Sequence, residues 1–218
     1  SHIFTDRPWL AADPALAPWP VPGDQAVFQT GAWMLNDERP LPTDLEKFLE
    51  TGAPPVYFGF GSMRAPQALG QVVIETARAL GRRAIVSRGW ADLSPGGSEP
   101  GWLTIGEVNQ QALFKRVAAV VHHGGAGTTT TAAFAGVPQV VIPQLYDQHY
   151  WGERVRALGI GAVHTPGTPT TDSLASTLEP TLQPGVAARA RSVAAAVRTD
   201  GTQTAARYLL AGNLPDPI

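Results

Sequence analysis

VHHGGAGTTTTAAFAG (121–136) lies between two short apolar runs, AAVVHH (118–123) and QVVIP (139–143). Its order is strand-like residues, two adjacent histidines, glycines, then a run of threonines opening a helix-like stretch. The first amides of a helix have no intrahelical partner, and the positive end of the helix dipole favours an anion there. Glycines let the backbone come close to a phosphate. Thr128 can add a hydroxyl, and a histidine at the strand end can add a further donor. The segment lacks the Gly-Lys-Ser/Thr ending of a phosphate-loop ATPase. It also lacks the GxGxxG spacing, with its ribose-binding carboxylate, of a dinucleotide site. Adjacent histidines on a strand point to opposite faces, and neither His149 nor His164 has a partner at ligand spacing, so no metal site is expected. A phosphate-binding helix start and a plain strand-to-helix turn both remain open from this stretch alone.

Working outward, short apolar runs alternate with longer helical patterns from Pro55 onward. Strands are expected at VYFGF (56–60), RRAIVS (82–87), WLTI (102–105), AAVVHH, QVVIP and GAVHT (161–165). Between and after them, helices are expected over 67–80, 109–116, 127–136, 147–159 and 171–182, the last broken near its end by Pro180. Two more follow in 185–200 and 201–212. About five or six apolar strands alternating with helices predict an α/β fold, a parallel sheet covered on both faces. Ligands of such sheets bind past the carboxyl ends of the strands. That rule brings five loops to one edge: Gly61 with Ser62, residues 88–90, 106–110, 122–128 and 144–148. GFGSM (59–63) is a second glycine turn before a helix, equally consistent with a structural turn. In the last loop, Asp147 and Gln148 offer a carboxylate and an amide that suit the vicinal hydroxyls of a sugar. Asp147 could equally cap the helix that follows.

Residues 1–54 read differently. Proline is dense in PWLAADPALAPWPVPGD (8–24), which argues against regular helix or central strand and for an extended arm or linker. Trp9, Trp19 and Trp33 are expected to anchor it. Thr43 is placed to cap a short helix over 44–50. The domain boundary is expected at 54/55.

Composition narrows the function classes. The 218 residues carry a formal net charge of -2 and only 16% charged residues, so no general field attracts nucleic acid. The chain has no cysteine, which removes disulfides, thiolate metal ligands and cysteine nucleophiles. No apolar run reaches the roughly 20 residues that cross a bilayer, and the amino end has no signal-peptide pattern. A reducing cytoplasm fits, with at most peripheral membrane contact.

GFGSM, SRGW, GEVNQQALF, VHHGGAGTT and AGVPQVVIPQLYDQHYWGERVRALG, in this order and spacing, resemble the carboxyl-terminal half of inverting nucleotide-sugar glycosyltransferases. Those enzymes have the GT-B architecture of two Rossmann-like domains. QTGAWMLNDERPLP (29–42) extends the resemblance to the glycosyltransferases of vancomycin- and teicoplanin-type glycopeptide biosynthesis, over nearly the whole chain. The resemblance implies that residues 55–218 bind the nucleotide-sugar donor and that 1–54 are interdomain. It implies that His123, with Gly125, Gly127 and Thr128, contacts the donor diphosphate, and that His122 supports the turn. Ser62 would lie near the phosphate. Val108 and Gln110 would receive the base, with Arg88 and Trp90 as its wall, and Asp147 and Gln148 would hold the sugar hydroxyls. Plant relatives stack uracil on a tryptophan where this chain has Glu107, and bind ribose with a glutamate where it has Thr131.

The donor implied is UDP-glucose or a close UDP-hexose, with a dTDP-sugar as the other choice; no cofactor and no metal are implied. The acceptor would be a heptapeptide aglycone, reached through an amino-terminal domain that also supplies the general base. By itself the chain is expected to bind donor and transfer nothing, as a monomer. The alternatives are a nucleotide-sugar epimerase-like domain and a non-catalytic nucleotide-binding module.

Overall fold

The computed structural model describes residues 8–20, 27–61, 68–89 and 101–211. It contains the six expected strands as one fully parallel sheet: β3 (Val56–Gly59), β4 (Ala84–Ser87), β5 (Trp102–Ile105), β6 (Ala119–His122), β7 (Gln139–Val141) and β8 (Gly161–Val163). Their order across the sheet is β5-β4-β3-β6-β7-β8. The central pair aligns Val56 with Ala119 and Gly59 with His122. Because β3 and β6 are neighbours from which the chain winds outward in both directions, the switch point of the sheet falls between them.

Both faces are covered, as continuous apolar strands require. On one face Val56, Phe58 and Phe60 pack with Val73 of α2 (Ala68–Ala79) and with Leu174 and Leu178 of α6 (Thr171–Thr181). Leu69, Val73 and Ala77 recur at i, i+4, which is why this stretch is helical and which face it buries. On the other face Tyr57, Ile85 and Val120 pack with Leu45, Phe114 and Ala132. These come from α1 (Thr43–Glu50), a 3-10 turn at Phe114–Arg116 that extends the short α3 (Gln110–Leu113), and α4 (Ala126–Ala135). α5 (Gln148–Ala157) and α7 (Pro184–Ala196) complete the helices between the sheet and residue 196. No helix among the described residues is long and apolar enough to cross a membrane.

Three local expectations change. Thr43 does not cap α1; it is the first helical residue, Pro42 holds the cap position without a side-chain hydrogen bond, and Asp44 and Glu46 offset the dipole instead. Pro180 does not break α6 ahead of its end but sits inside the last turn, where the one i→i−4 hydrogen bond it removes leaves the preceding turns intact. At the other end of α6, Thr170 and Ser173 form a reciprocal capping box, the Thr170 hydroxyl accepting from Ser173 N at 3.2 Å. Thr170→Ala should therefore cost about 1 kcal/mol in a urea unfolding series; an unchanged midpoint would show that the box contributes nothing.

The chain divides into two compact units, residues 37–195 and residues 1–36 with 196–218. The sheet's unit thus starts at Asp37 rather than at 55, because Leu45 is wholly buried in the sheet's second core. In the other unit, β1 (Trp9–Leu10) pairs in parallel with β2 (Phe28–Gln29), short strands where the proline density suggested none. Phe28 stands edge-on to Trp9 and to Tyr208 of α8 (Gly201–Ala211), and buried Asp13 accepts from Arg198 N. Gln29 ties the arm by donating to the carbonyls of Ala12 and Ala17 and accepting from Trp19 N. Trp33 is not a buried anchor: it is 52% exposed and held by its indole N–H donating to Thr30.

Candidate functional site

The two histidines that end β6 have opposite fates, as strand alternation requires. His122 is fully buried. Its Nδ1 accepts from Gly124 N at 3.1 Å, so the proton is on Nε2, which donates to Gln139 Oε1 at 3.0 Å. Gln139 in turn donates to the carbonyl of Thr129 in α4. This chain of hydrogen bonds ties the glycine turn to β7 and to the helix it opens. Burial pushes the His122 pKa down to about 3, so the ring is a neutral structural part.

His123 faces the other way. An ideal Cβ on Gly61 would lie 3.1 Å from its Cε1, and one on Gly125 would lie 2.5 Å from its Nε2. The imidazole is therefore held between the glycine turn after β3 and the one after β6, across the switch point of the sheet. Gly61 has φ +59 and is approached from a second side, since a Cβ on Gly89 would meet its carbonyl oxygen at 2.5 Å; a side chain at either position would force these turns apart. The Nδ1 of His123 is buried and has no hydrogen-bond partner among the described residues. Burial lowers its pKa, while the Asp147 carboxylate works in the opposite direction. α4 begins beside this ring at Gly125 with no side-chain cap. The hydroxyls of Thr129 and Thr131 turn back to the carbonyls of Gly125 and Gly127, which leaves Gly127 and the half-buried Thr128 at the open helix start. A buried polar atom without a partner, next to uncapped helix amides, is an arrangement completed by an anion.

A cavity of about 530 Å³ opens at the same edge, and Gly61 belongs to its wall. Arg88, Val108 and Gln110 line it, as do Glu107 and Thr131. Gln110 also donates to the Tyr57 hydroxyl at 3.3 Å. Sequence reasoning missed three further contributors, Asp37, Arg39 and Tyr57. Asp37 and Arg39 lie in a proline-rich stretch that had no periodicity to signal them, and Tyr57 was hidden inside an apolar strand. Asn109 was missed as well, though Asn just before a helical run is a cap signal. Its Oδ1 accepts from Ala112 N, and its Nδ2 donates to the carbonyls of Asp37 and Arg39 at 2.7 and 2.8 Å.

The loop after β7 carries the remaining candidates. Asp147 is exposed and does not cap α5; its carboxylate accepts from the Trp151 indole at 3.2 Å. Gln148 is buried, and its Oε1 accepts from both Gln144 N and Leu145 N. That oxygen closes its own loop, so only the amide nitrogen of Gln148 is left to act on a ligand hydroxyl. Between them the backbone is strained, with Tyr146 at φ +49 and 89% exposed. His164 lies apart, bonded through Nε2 to Ser173 Oγ at 2.9 Å. Ser62 and Trp90 lie outside the described residues.

The model of the erythromycin biosynthesis protein CIII-like C-terminal domain matches residues 98–206. The chain is 55% identical over 207 residues to vancomycin aglycone glucosyltransferase of Amycolatopsis orientalis, covering 95% of this chain and 51% of that protein. It is 54% identical over 210 residues to glycosyltransferase GtfE of the same organism, covering 96% and 51%. The chain thus spans about half the length of the curated relatives it matches. Among solved structures, the glycotransferase of kitacinnamycin superposes with a TM-score of 0.74 at 25% identity, over 96% of this chain and 55% of that one.

Proposed function

This chain belongs to the family of erythromycin biosynthesis protein CIII-like C-terminal domains, and from that premise we propose that it is the donor half of a glycopeptide-antibiotic glycosyltransferase. Its ligand in this reading is a nucleotide diphosphate sugar. The observation that carries the proposal is His123: a buried Nδ1 with no partner among the described residues, on a ring set between two glycine turns at the uncapped start of α4.

In this reading the donor has three parts. The diphosphate lies against His123, the amides of Gly125 and Gly127 and the Thr128 hydroxyl, and the family resemblance adds Ser62. The base enters the cavity between the loops after β4 and β5, against Val108, Gln110 and Arg88, and the family resemblance adds Trp90. The sugar meets Asp147 and the amide nitrogen of Gln148. When the bond between the anomeric carbon and the diphosphate breaks, negative charge gathers on the phosphate oxygens. Donors already aimed there stabilise that charge without reorganising. Inversion needs the acceptor hydroxyl to attack from the opposite face, its proton taken by a general base. We assign that base and the acceptor pocket to the half of the relatives that this chain does not match. Resemblance to vancomycin aglycone glucosyltransferase supports a glucose donor and an aglycone acceptor; we take these to be UDP-glucose and a heptapeptide, with a dTDP-sugar as the other choice.

Calorimetry of the 218-residue chain with UDP, dTDP and UDP-glucose tests the reading. Binding of the diphosphates with no transfer to an aglycone is the expected result. No heat and no NMR shift at millimolar nucleotide would overturn it.

A further inference from the structure

The cavity of about 530 Å³ has a wall with no role in the donor contacts above. Among the described residues that line it, Tyr57 is the aromatic, and its ring is 2% exposed and packed edge-on to Phe114 at 5.0 Å. Its faces are therefore committed to the core and cannot stack on a ligand. Two arginines line the cavity, Arg39 and Arg88. They differ in how they are held.

Arg39 is tied down at its backbone and partnered at its guanidinium, while its side chain stays 59% exposed. Its backbone is fastened to the loop after β5: Asn109 donates to the Asp37 and Arg39 carbonyls, and Gln111 Oε1 accepts from Asp37 N at 3.2 Å. Asn109 itself is 4% exposed and caps α3, so this fastening is part of the folded core. The guanidinium then makes a two-pronged pair with Asp37, Nε to Oδ1 at 2.9 Å and Nη2 to Oδ2 at 2.7 Å. Its third nitrogen, Nη1, reaches Glu107 Oε1 at 3.4 Å. Each nitrogen of the planar group thus has a carboxylate partner. An arginine restrained in this way has little freedom left to seek a phosphate, while its flat face remains open for stacking on a heteroaromatic ring. Surface ion pairs like these contribute little stability, so their geometry is better understood as orientation.

We infer that Arg39, oriented by Asp37 and Glu107, is the stacking surface for the nucleobase and a determinant of donor affinity. The inference rests on the nucleotide reading above and deepens it. A stacking face tolerates any pyrimidine, so uracil and thymine gain comparably from it. Base selection then lies with the in-plane contacts at the Val108–Gln110 loop.

The experiment is calorimetry on the full chain with UDP, dTDP and inorganic pyrophosphate, which has the phosphates without the base. Arg39→Ala should weaken UDP and dTDP each by about tenfold and leave pyrophosphate unchanged. Arg39→Lys keeps the charge but loses the planar face, and should resemble the alanine variant. Glu107→Gln, which loosens Nη1 alone, should give a smaller loss confined to the nucleotides. Equal losses for pyrophosphate and UDP, or full affinity in Arg39→Lys, would make Arg39 a phosphate contact and overturn the inference. So would a loss of base-dependent affinity on replacing Arg88 or Trp90 that replacing Arg39 does not produce. Absence of UDP binding by the unaltered chain would instead remove the nucleotide reading, and this inference with it.

Discussion

Replacing His123 by alanine is expected to weaken UDP-glucose and UDP by about 10- to 100-fold and free uridine hardly at all. The magnitude is that of one hydrogen bond to a charged group, roughly 1.5–3 kcal/mol. It follows from the ring's position, pinned between Gly61 and Gly125 with Nδ1 buried and without a partner among the described residues. A pH series sharpens the test. Burial holds the His123 pKa below its ordinary 6.5, so the free protein carries a neutral imidazole near neutral pH. A diphosphate beside the ring favours the protonated form, and binding then takes up a proton. Affinity for UDP-glucose, whose diphosphate does not titrate in this range, should strengthen as pH falls from about 7.5 toward 6. The alanine variant should lose that dependence. Equal losses for UDP-glucose and uridine would assign the residue to the base or to folding rather than to the phosphates.

His122 should show the opposite behaviour, a large effect on stability with no direct contact to ligand. His122→Ala removes the partner of Gly124 N and of Gln139 and leaves a void in the core, a combination expected to cost about 3–5 kcal/mol. Its buried ring is neutral, with a folded pKa of about 3 against 6.5 when free. The unfolded chain takes up a proton between those values that the folded chain excludes. The stability associated with neutral His122 is therefore complete above pH 6.5 and is lost as pH falls toward 3, up to roughly 5 kcal/mol if the full shift is realised. Urea midpoints measured at descending pH should fall more steeply in the unaltered chain than in His122→Gln. Because a variant could unfold outright, the ring of the unaltered protein gives an independent reading by NMR. Its carbon-bound protons should not titrate between pH 7 and 5; a midpoint near 6 would falsify the buried neutral assignment.

Much of the fold was legible because its signals are local. Six apolar runs, each flanked by helical spacing, could only be a parallel sheet covered on both faces, and all six are strands of one sheet. The loops singled out by the carboxyl-end rule supply Gly61, Arg88, Val108 and Gln110 to one cavity. The difference between the two histidines was legible only in part. Strand alternation says that they diverge, but which one enters the core depends on Gln139, contributed by the neighbouring strand. Asp147 and Gln148 were legible as a polar pair after a strand. That the Gln148 carbonyl oxygen closes its own loop was not, since it needs the path of residues 144–148.

The amino-terminal boundary misled for a related reason. Proline suppresses periodicity, so residues 1–54 looked alike along their length. In the structure Leu45 is a core residue of the sheet's unit, while Trp9 and Phe28 belong to a unit shared with residues 196–218. Membership of a core is a property of distant partners, and no local pattern records it.

The sequence by itself determined the strand–helix order, the edge of the sheet that carries the candidate loops and the glycine turn that opens α4. Each of these follows from residue type and spacing within a single segment. Tertiary structure alone decided which histidine is free to meet an anion, and which side chains form the wall of the cavity. At Glu107 the sequence shows an acidic residue and nothing more, and only folding brings Arg39 across 68 positions to meet it. Long-range pairing sets such contacts because a side chain's chemistry depends on what burial and neighbouring charges leave unpartnered.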